Sequence, residues 1–164
     1  MGLFDLFGGG QGGIQVGDAA PDFDLPDASG ERVRLSDFKG KRGVVLYFYP
    51  KDDTPGCTKE ACSFRDSYEE FRGAGAEVIG VSSDSEGSHR RFAEKYRLPF
   101  LLVADARGEL RKRYGVPSTF GLLPGRVTYV IDREGIVRHV FNSQLQASKH
   151  VDEALAVLRR RESR

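Results

Sequence analysis

A three-layer α/β domain with a central mixed sheet is the architecture this sequence predicts, and three observations carry it. Largely apolar runs of strand length at 44–49, 77–82 and 100–103 alternate with segments whose apolar residues recur every three or four positions. The first of those runs is apolar without alternation, as a strand covered on both faces should be. Two further apolar runs, 127–131 and 136–141, flank Asp132-Arg133-Glu134-Gly135 and read as a hairpin ahead of a last helix.

In chain order, the first fifteen residues read as a flexible segment whose glycines at 8–13 form a linker, and 16–164 as one domain. Segment 16–40 is turn-rich, and Asp27-Ala28-Ser29-Gly30 separates two short apolar stretches, which predicts a small N-terminal hairpin. After the strand at 43–49, Ala61, Phe64, Tyr68 and Phe71 fall at helical spacing and predict one helix from about Cys57 to Phe71. Gly73 and Gly75 end it before the strand at 77–82. Phe92, Ala93 and Tyr96 stripe a helix that must stop before Pro99. A strand at 100–103, a short helix at 108–114 and a loop at 115–125 follow. Val151, Ala154, Leu155 and Leu158 mark the last helix, with Ser148 as its expected cap.

Composition excludes several function classes. Twenty-five basic against 24 acidic side chains leave a net charge of +1, which offers no field for nucleic acid. Two cysteines in 164 residues cannot form a secreted disulfide framework, so a reducing compartment, the cytoplasm, is expected. An organelle stroma fits equally if a leader was removed. No run reaches the length of a membrane span, so no integral membrane contact is expected, and Leu6 spoils the myristoylation pattern that Gly2 would open. His89 reads as part of a charged helix face, His139 as a strand residue and His150 as a helix start, so no histidine cluster predicts a metal. No phosphate-binding glycine loop follows a strand, and no cofactor is expected.

Both cysteines lie in Tyr47-Phe48-Tyr49-Pro50-Lys51-Asp52-Asp53-Thr54-Pro55-Gly56-Cys57-Thr58-Lys59-Glu60-Ala61-Cys62. Cys57 is expected at the turn from strand to helix, with Pro50 and Pro55 fixing the turn and Thr54 or Thr58 capping the first amides. An arbitrary cysteine is most often inert packing, but a helix N-terminus favours the thiolate, the nucleophilic form. Placement after a central strand is a thioredoxin-like arrangement, yet four residues separate the cysteines where a disulfide exchanger has two. Five positions along a helix put the two Cα atoms about 8.5 Å apart and on different faces, too far for an undistorted disulfide. Either Cys62 is a passive core residue or the helix opens after Cys57 is oxidised.

Pro50-x-x-x-Thr54-x-x-Cys57, Glu60 and a distant strand-borne Arg126 resemble the active-site signature of the peroxiredoxins. Cys62 is similar to the second cysteine of their PrxQ, or bacterioferritin-comigratory-protein, branch, and Ser36-Asp37-Phe38-Lys39-Gly40 and Pro124-Gly125-Arg126 extend the likeness from about Val16 to the last helix. The resemblance implies a thioredoxin-like fold and a monomeric thiol peroxidase that reduces hydrogen peroxide or alkyl hydroperoxides. It further implies Cys57 as the peroxidatic thiol, Cys62 as the resolving thiol and thioredoxin or a similar dithiol as reductant. Thr54 and the Cys57 amide would then hold the peroxide, Arg126 would stabilise the thiolate and the leaving oxygen, Pro50 would shield the sulfur and Glu60 would orient Arg126.

Overall fold

A computed structural model describes residues 13–119 and 123–162, so most of the expected flexible segment at 1–15 and the centre of the 115–125 loop lie outside the described residues. Two short strands, β1 (Asp24–Pro26) and β2 (Arg32–Arg34), pair antiparallel as the expected N-terminal hairpin, and a 3-10 turn over Leu35–Phe38 leads onward. The central elements are β3 (Gly43–Phe48), helix α1 (Pro55–Asp66), helix α2 (Tyr68–Gly73), β4 (Ala76–Ser82), helix α3 (Glu86–Tyr96) and β5 (Leu101–Ala104). Helix α4 (Glu109–Tyr114), the two-residue strands β6 (Ser118–Thr119) and β7 (Leu123–Pro124), β8 (Val127–Ile131), β9 (Val137–Asn142) and helix α5 (Ala147–Glu162) complete the chain.

The main sheet has five strands in the order β5-β4-β3-β8-β9, parallel from β3 to β5 and antiparallel across β3–β8 and β8–β9. The sheet is therefore mixed, as the sequence predicts. Strand β3 is its centre, and all six of its residues are buried because its two faces are both covered. Side chains alternate across the pleat. Val45 and Tyr47, with Tyr49 just beyond, pack with Phe64, Phe71, Phe92 and Leu155 of the helices, whereas Val44, Leu46 and Phe48 pack with Phe23, Val33, Leu110 and Tyr114.

Three local expectations need correction. The single helix expected from Cys57 to Phe71 is broken at Ser67, whose backbone (φ −104°, ψ 8°) leaves the helical region, and α2 starts afresh. The break keeps Phe64 and Phe71 in one cluster, with ring centroids 5.6 Å apart. Helix α5 starts at Ala147, so Ser148 lies inside its first turn and is not its cap. The loop expected at 115–125 contains the small β6–β7 pairing.

Phe64 links α1 to the sheet: it is fully buried, its ring stacks on Tyr47 at 4.4 Å between centroids, and Phe100 meets it edge-on. Phe64→Ala should therefore cost about 3–5 kcal/mol, loss of apolar burial plus an uncollapsed cavity. A urea midpoint unchanged from wild type would show that α1 is held by something else.

Candidate active site

The chain leaves β3 through Tyr49, whose amide extends the ladder by donating to Val81 O (3.1 Å), and through half-buried Pro50. Two aspartates then pin the turn to α3. Asp52 is buried and accepts from Tyr49 Oη (2.5 Å) and Ser88 Oγ (2.8 Å), and it faces His89 Nδ1 at 2.7 Å. Asp53 sits in the left-handed region (φ 56°) and accepts from Lys95 Nζ and Tyr96 Oη, both at 2.8 Å. His89 is thus a buried partner of this turn, not a surface residue as the charged pattern around it suggests. Its Nε2 faces Val103 O at 3.0 Å.

Thr54 ends the turn with extended backbone (φ −101°, ψ 157°), and Pro55 occupies the first position of α1, where its missing N–H costs nothing. The first backbone bond runs from the Thr58 N–H to Thr54 O (2.8 Å). No side chain caps the helix, contrary to the expectation for Thr54 or Thr58; the Thr54 hydroxyl instead donates to Lys51 O (2.9 Å). Cys57 lies in the first turn of α1, in the buried core layer. The thiol thus sits at the positive end of a helix that no side chain caps.

Arg126 joins this helix start from the neighbouring strand, immediately ahead of β8. Its Nη2 donates to Cys57 Sγ (3.4 Å), its Nη1 to Glu60 Oε1 (2.6 Å) and its Nε to Gln144 O (3.3 Å). Arginine supplies all three because its donors form a fixed fork. Arg126 is only 5% exposed, Glu60 is fully buried and Cys57 is 1% exposed, so water screens these charges weakly. Glu60 and Cys57 hold the Arg126 charge more firmly than its burial weakens it, so its pKa lies above the ordinary value. Burial pushes the Glu60 carboxyl up to about 8, against the pull of Arg126.

Two glycines permit this approach. A Cβ on Gly56 would lie 3.1 Å from Arg126 Nη2, and one on Gly125 would stand 2.3 Å from Pro117 O, so the backbone leading into Arg126 can run there only without a side chain. Behind Glu60 stands His150 of α5, fully buried, with Nδ1 2.7 Å from Thr128 Oγ1 and Nε2 2.8 Å from Ser143 O. The sequence reading missed this contact because His150 is ninety residues from Glu60 and no local pattern marks it. Cys62, by contrast, is half-exposed, lies outside both core clusters and shares the unbroken α1 with Cys57; both thiols are free.

The AhpC/TSA family model matches residues 16–140. The chain belongs to that family, the peroxiredoxins. Chloroplastic peroxiredoxin Q of Triticum aestivum is 55% identical over 148 residues, which cover 90% of this chain and 68% of that protein. The crystal structure of peroxidoxin BcpB from Mycobacterium tuberculosis superposes with a TM-score of 0.83 at 41% identity, covering 90% and 97% of the two chains. The bacterioferritin comigratory protein of Xanthomonas campestris, described for its alkyl peroxide reduction activity, superposes at 0.80 with 32% identity, over 90% and 97%. The fold is accordingly the thioredoxin-like fold of the peroxiredoxins, and the activity is that of a thiol peroxidase, an oxidoreductase acting on peroxide with thiol electrons.

Among the described residues, one group of His, Cys, Asp or Glu side chains converges closely enough to hold a metal ion, Asp52, Asp84 and His89, and its facing atoms already bond one another, the Asp52 amide and the Ser82 hydroxyl. It braces the turn. No helix among the described residues is long and apolar enough to cross a membrane.

Arg126→Ala should slow the reaction of Cys57 with peroxide by two to three orders of magnitude, since one preorganised donor is worth about 3–4 kcal/mol. Gly56→Ala only displaces the guanidinium and should cost roughly tenfold, at nearly unchanged thermal stability. Stopped-flow oxidation within threefold of wild type in both variants would remove Arg126 from the reaction.

Proposed function

We propose that the chain reduces hydrogen peroxide and organic hydroperoxides with Cys57, closes a Cys57–Cys62 disulfide and is recycled by thioredoxin or a similar dithiol. The observation that carries this reading is the short fork from Arg126 to both Cys57 and Glu60 at the uncapped start of α1. A thiolate there faces one fixed cation and the positive end of a helix. It attacks the terminal peroxide oxygen: the S–O bond forms, the O–O bond breaks, and the leaving oxygen departs with two electrons and takes up a proton.

The Cys57 amide would donate to the peroxide, and Thr54, whose hydroxyl proton goes to Lys51 O, would accept the peroxide's own O–H. Pro50, half-buried beside this turn, limits water at the sulfur. Arg126 faces the developing negative charge, and Glu60 fixes its orientation from Oε1. No cofactor enters this cycle, because the thiols carry the electrons. A monomer suffices, since every residue named belongs to one chain. We place it in a reducing compartment, the cytoplasm or, as the names of the relatives state of those proteins, the chloroplast.

The second step makes the sulfenic acid condense with the Cys62 thiol and release water, and it demands a change of shape. With both cysteines on continuous α1, the Cα separation of about 8.5 Å must fall below about 7 Å. The first turn is suited to opening: Pro55, Gly56 and Lys59 are exposed, and what holds it are the contacts of Cys57, Glu60 and Ala61. Oxidation removes the thiolate from the Arg126 fork, which loosens one of those contacts. Each backbone bond lost costs about 1 kcal/mol net, and the disulfide offsets that sum.

Peroxide consumption with thioredoxin, thioredoxin reductase and NADPH tests the cycle. Cys57→Ser should consume no peroxide, whereas Cys62→Ser should form one dimedone-trappable sulfenic acid and then stop. Full steady-state turnover in Cys62→Ser would remove it as resolver. Hydrogen exchange should rise over residues 54–71 in the protein carrying the Cys57–Cys62 disulfide, while 44–48 and 127–131 stay protected. Equal protection of 54–71 in the reduced and disulfide forms would rule out helix opening.

A further inference from the structure

Glu60 is bonded on one side only. Its Oε1 accepts from Arg126, but its Oε2 is buried without a hydrogen-bond partner and lies 3.5 Å from His150 Nδ1. The His150 Nε2 faces the Ser143 carbonyl and must be its donor, so in the neutral ring Nδ1 keeps one lone pair, for which the Thr128 hydroxyl at 2.7 Å and a proton on Glu60 Oε2 at 3.5 Å compete. Two facing acceptors in a buried site are unfavourable unless one proton lies between them.

We propose that His150 is a positioning residue of this peroxidase: by sharing one proton with Glu60 it governs how Arg126 divides its charge between Glu60 and Cys57. The proposal rests on the reading of Cys57 as the reacting thiol. The charges support it. With Cys57 as thiolate, Arg126 as cation and Glu60 ionised, the buried cluster carries one excess negative charge; a proton held between Glu60 and His150 brings it to zero and leaves the guanidinium to the sulfur. When the thiolate becomes a sulfenic acid, Arg126 loses that partner, and the Glu60–His150 pair can give up its proton and replace it. One proton then leaves the pair as the leaving peroxide oxygen takes one up, so the step balances without a net change in the charge of the site.

The groups facing the pair are Arg126 and Thr128 from the β8 side, Cys57 from α1, and Tyr47 from β3, whose buried hydroxyl has no hydrogen-bond partner and feels both Glu60 and Cys57. Burial pushes Glu60 up to about 8 and His150 down to about 4, the latter with Arg126 acting in the same direction. Between those limits Glu60 is the site that keeps the shared proton, and His150 is its acceptor.

His150→Gln supplies an amide donor to Oε2 and should leave Glu60 ionised, in competition with the sulfur. The reaction with hydrogen peroxide at pH 7 should fall roughly tenfold, and the midpoint of its pH profile should rise by about one unit. In a Glu60→Gln background the same change should have less than a twofold effect, because the competitor is gone. A merely structural role for His150 would give the same loss in both backgrounds, and that result, or an unmoved pH profile, overturns the proposal. If the variants do not fold, ring 15N NMR on folded protein decides: the His150 Nδ1 resonance should differ between reduced wild type and Cys57→Ser, which lacks the thiolate. Identical resonances in the two would overturn it. Absence of peroxide reduction in wild type would instead sink the peroxidase reading, and leave the NMR comparison to report on His150 alone.

Discussion

One buried cation serves two acidic groups, and the rest of the site is arranged around that constraint. Arg126 cannot give its full charge to both Cys57 and Glu60, and its side chain is too buried for water to supply the difference. Removing one partner from such a site leaves an uncompensated charge, which is far more destabilising than the pair is stabilising. The fold therefore gives the guanidinium one neutral acceptor and neighbours that have no side chain to obstruct it. Gln144 O takes the third donor, Gly56 yields the space beside Nη2, and Gly125 allows the chain to pass Pro117 on its way in.

The sheet order explains why these groups meet. Strand β3 is central, so the helix that follows it starts above the middle of the sheet, and β8 pairs antiparallel directly beside it. Phe48 and Val127 are paired across that ladder, which brings the exit of β3 and the entry of β8 to the same edge. Cys57 and Arg126 come from these two ends. The parallel neighbour β4 and helix α3 hold the intervening turn through Asp52 and Asp53, so the turn is braced from the side opposite to Arg126.

Rigidity and opening are divided along the same helix. The inward face of α1, Glu60, Ala61 and Phe64, is packed against the sheet and the aromatic cluster, whereas Pro55, Gly56 and Lys59 face solvent. Cys62 lies between these regimes, half-exposed and unpaired with Cys57 in the intact helix. A site that must hold a thiolate still for one step and release it for the next needs both faces on one element.

The sequence by itself determined the class of the fold and the residues that define the family, because both are local. Strand and helix periods, the proline-flanked turn and the Cys57-to-Cys62 spacing are readable within a few residues of each other, and Val127–Ile131 is found where its pattern puts it. What only the tertiary structure decided depends on separations that no window spans. The break at Ser67, the burial of His89 against Asp52, and the contact of His150 with Glu60 all arise from packing between elements 37 to 90 residues apart or from the demands of one shared cluster. A histidine in a run of charged residues looks exposed until the strand and turn that cover it are in place. Burial then makes each of its bonds obligatory, since in a low-dielectric interior an unmet polar atom costs more than a met one gains.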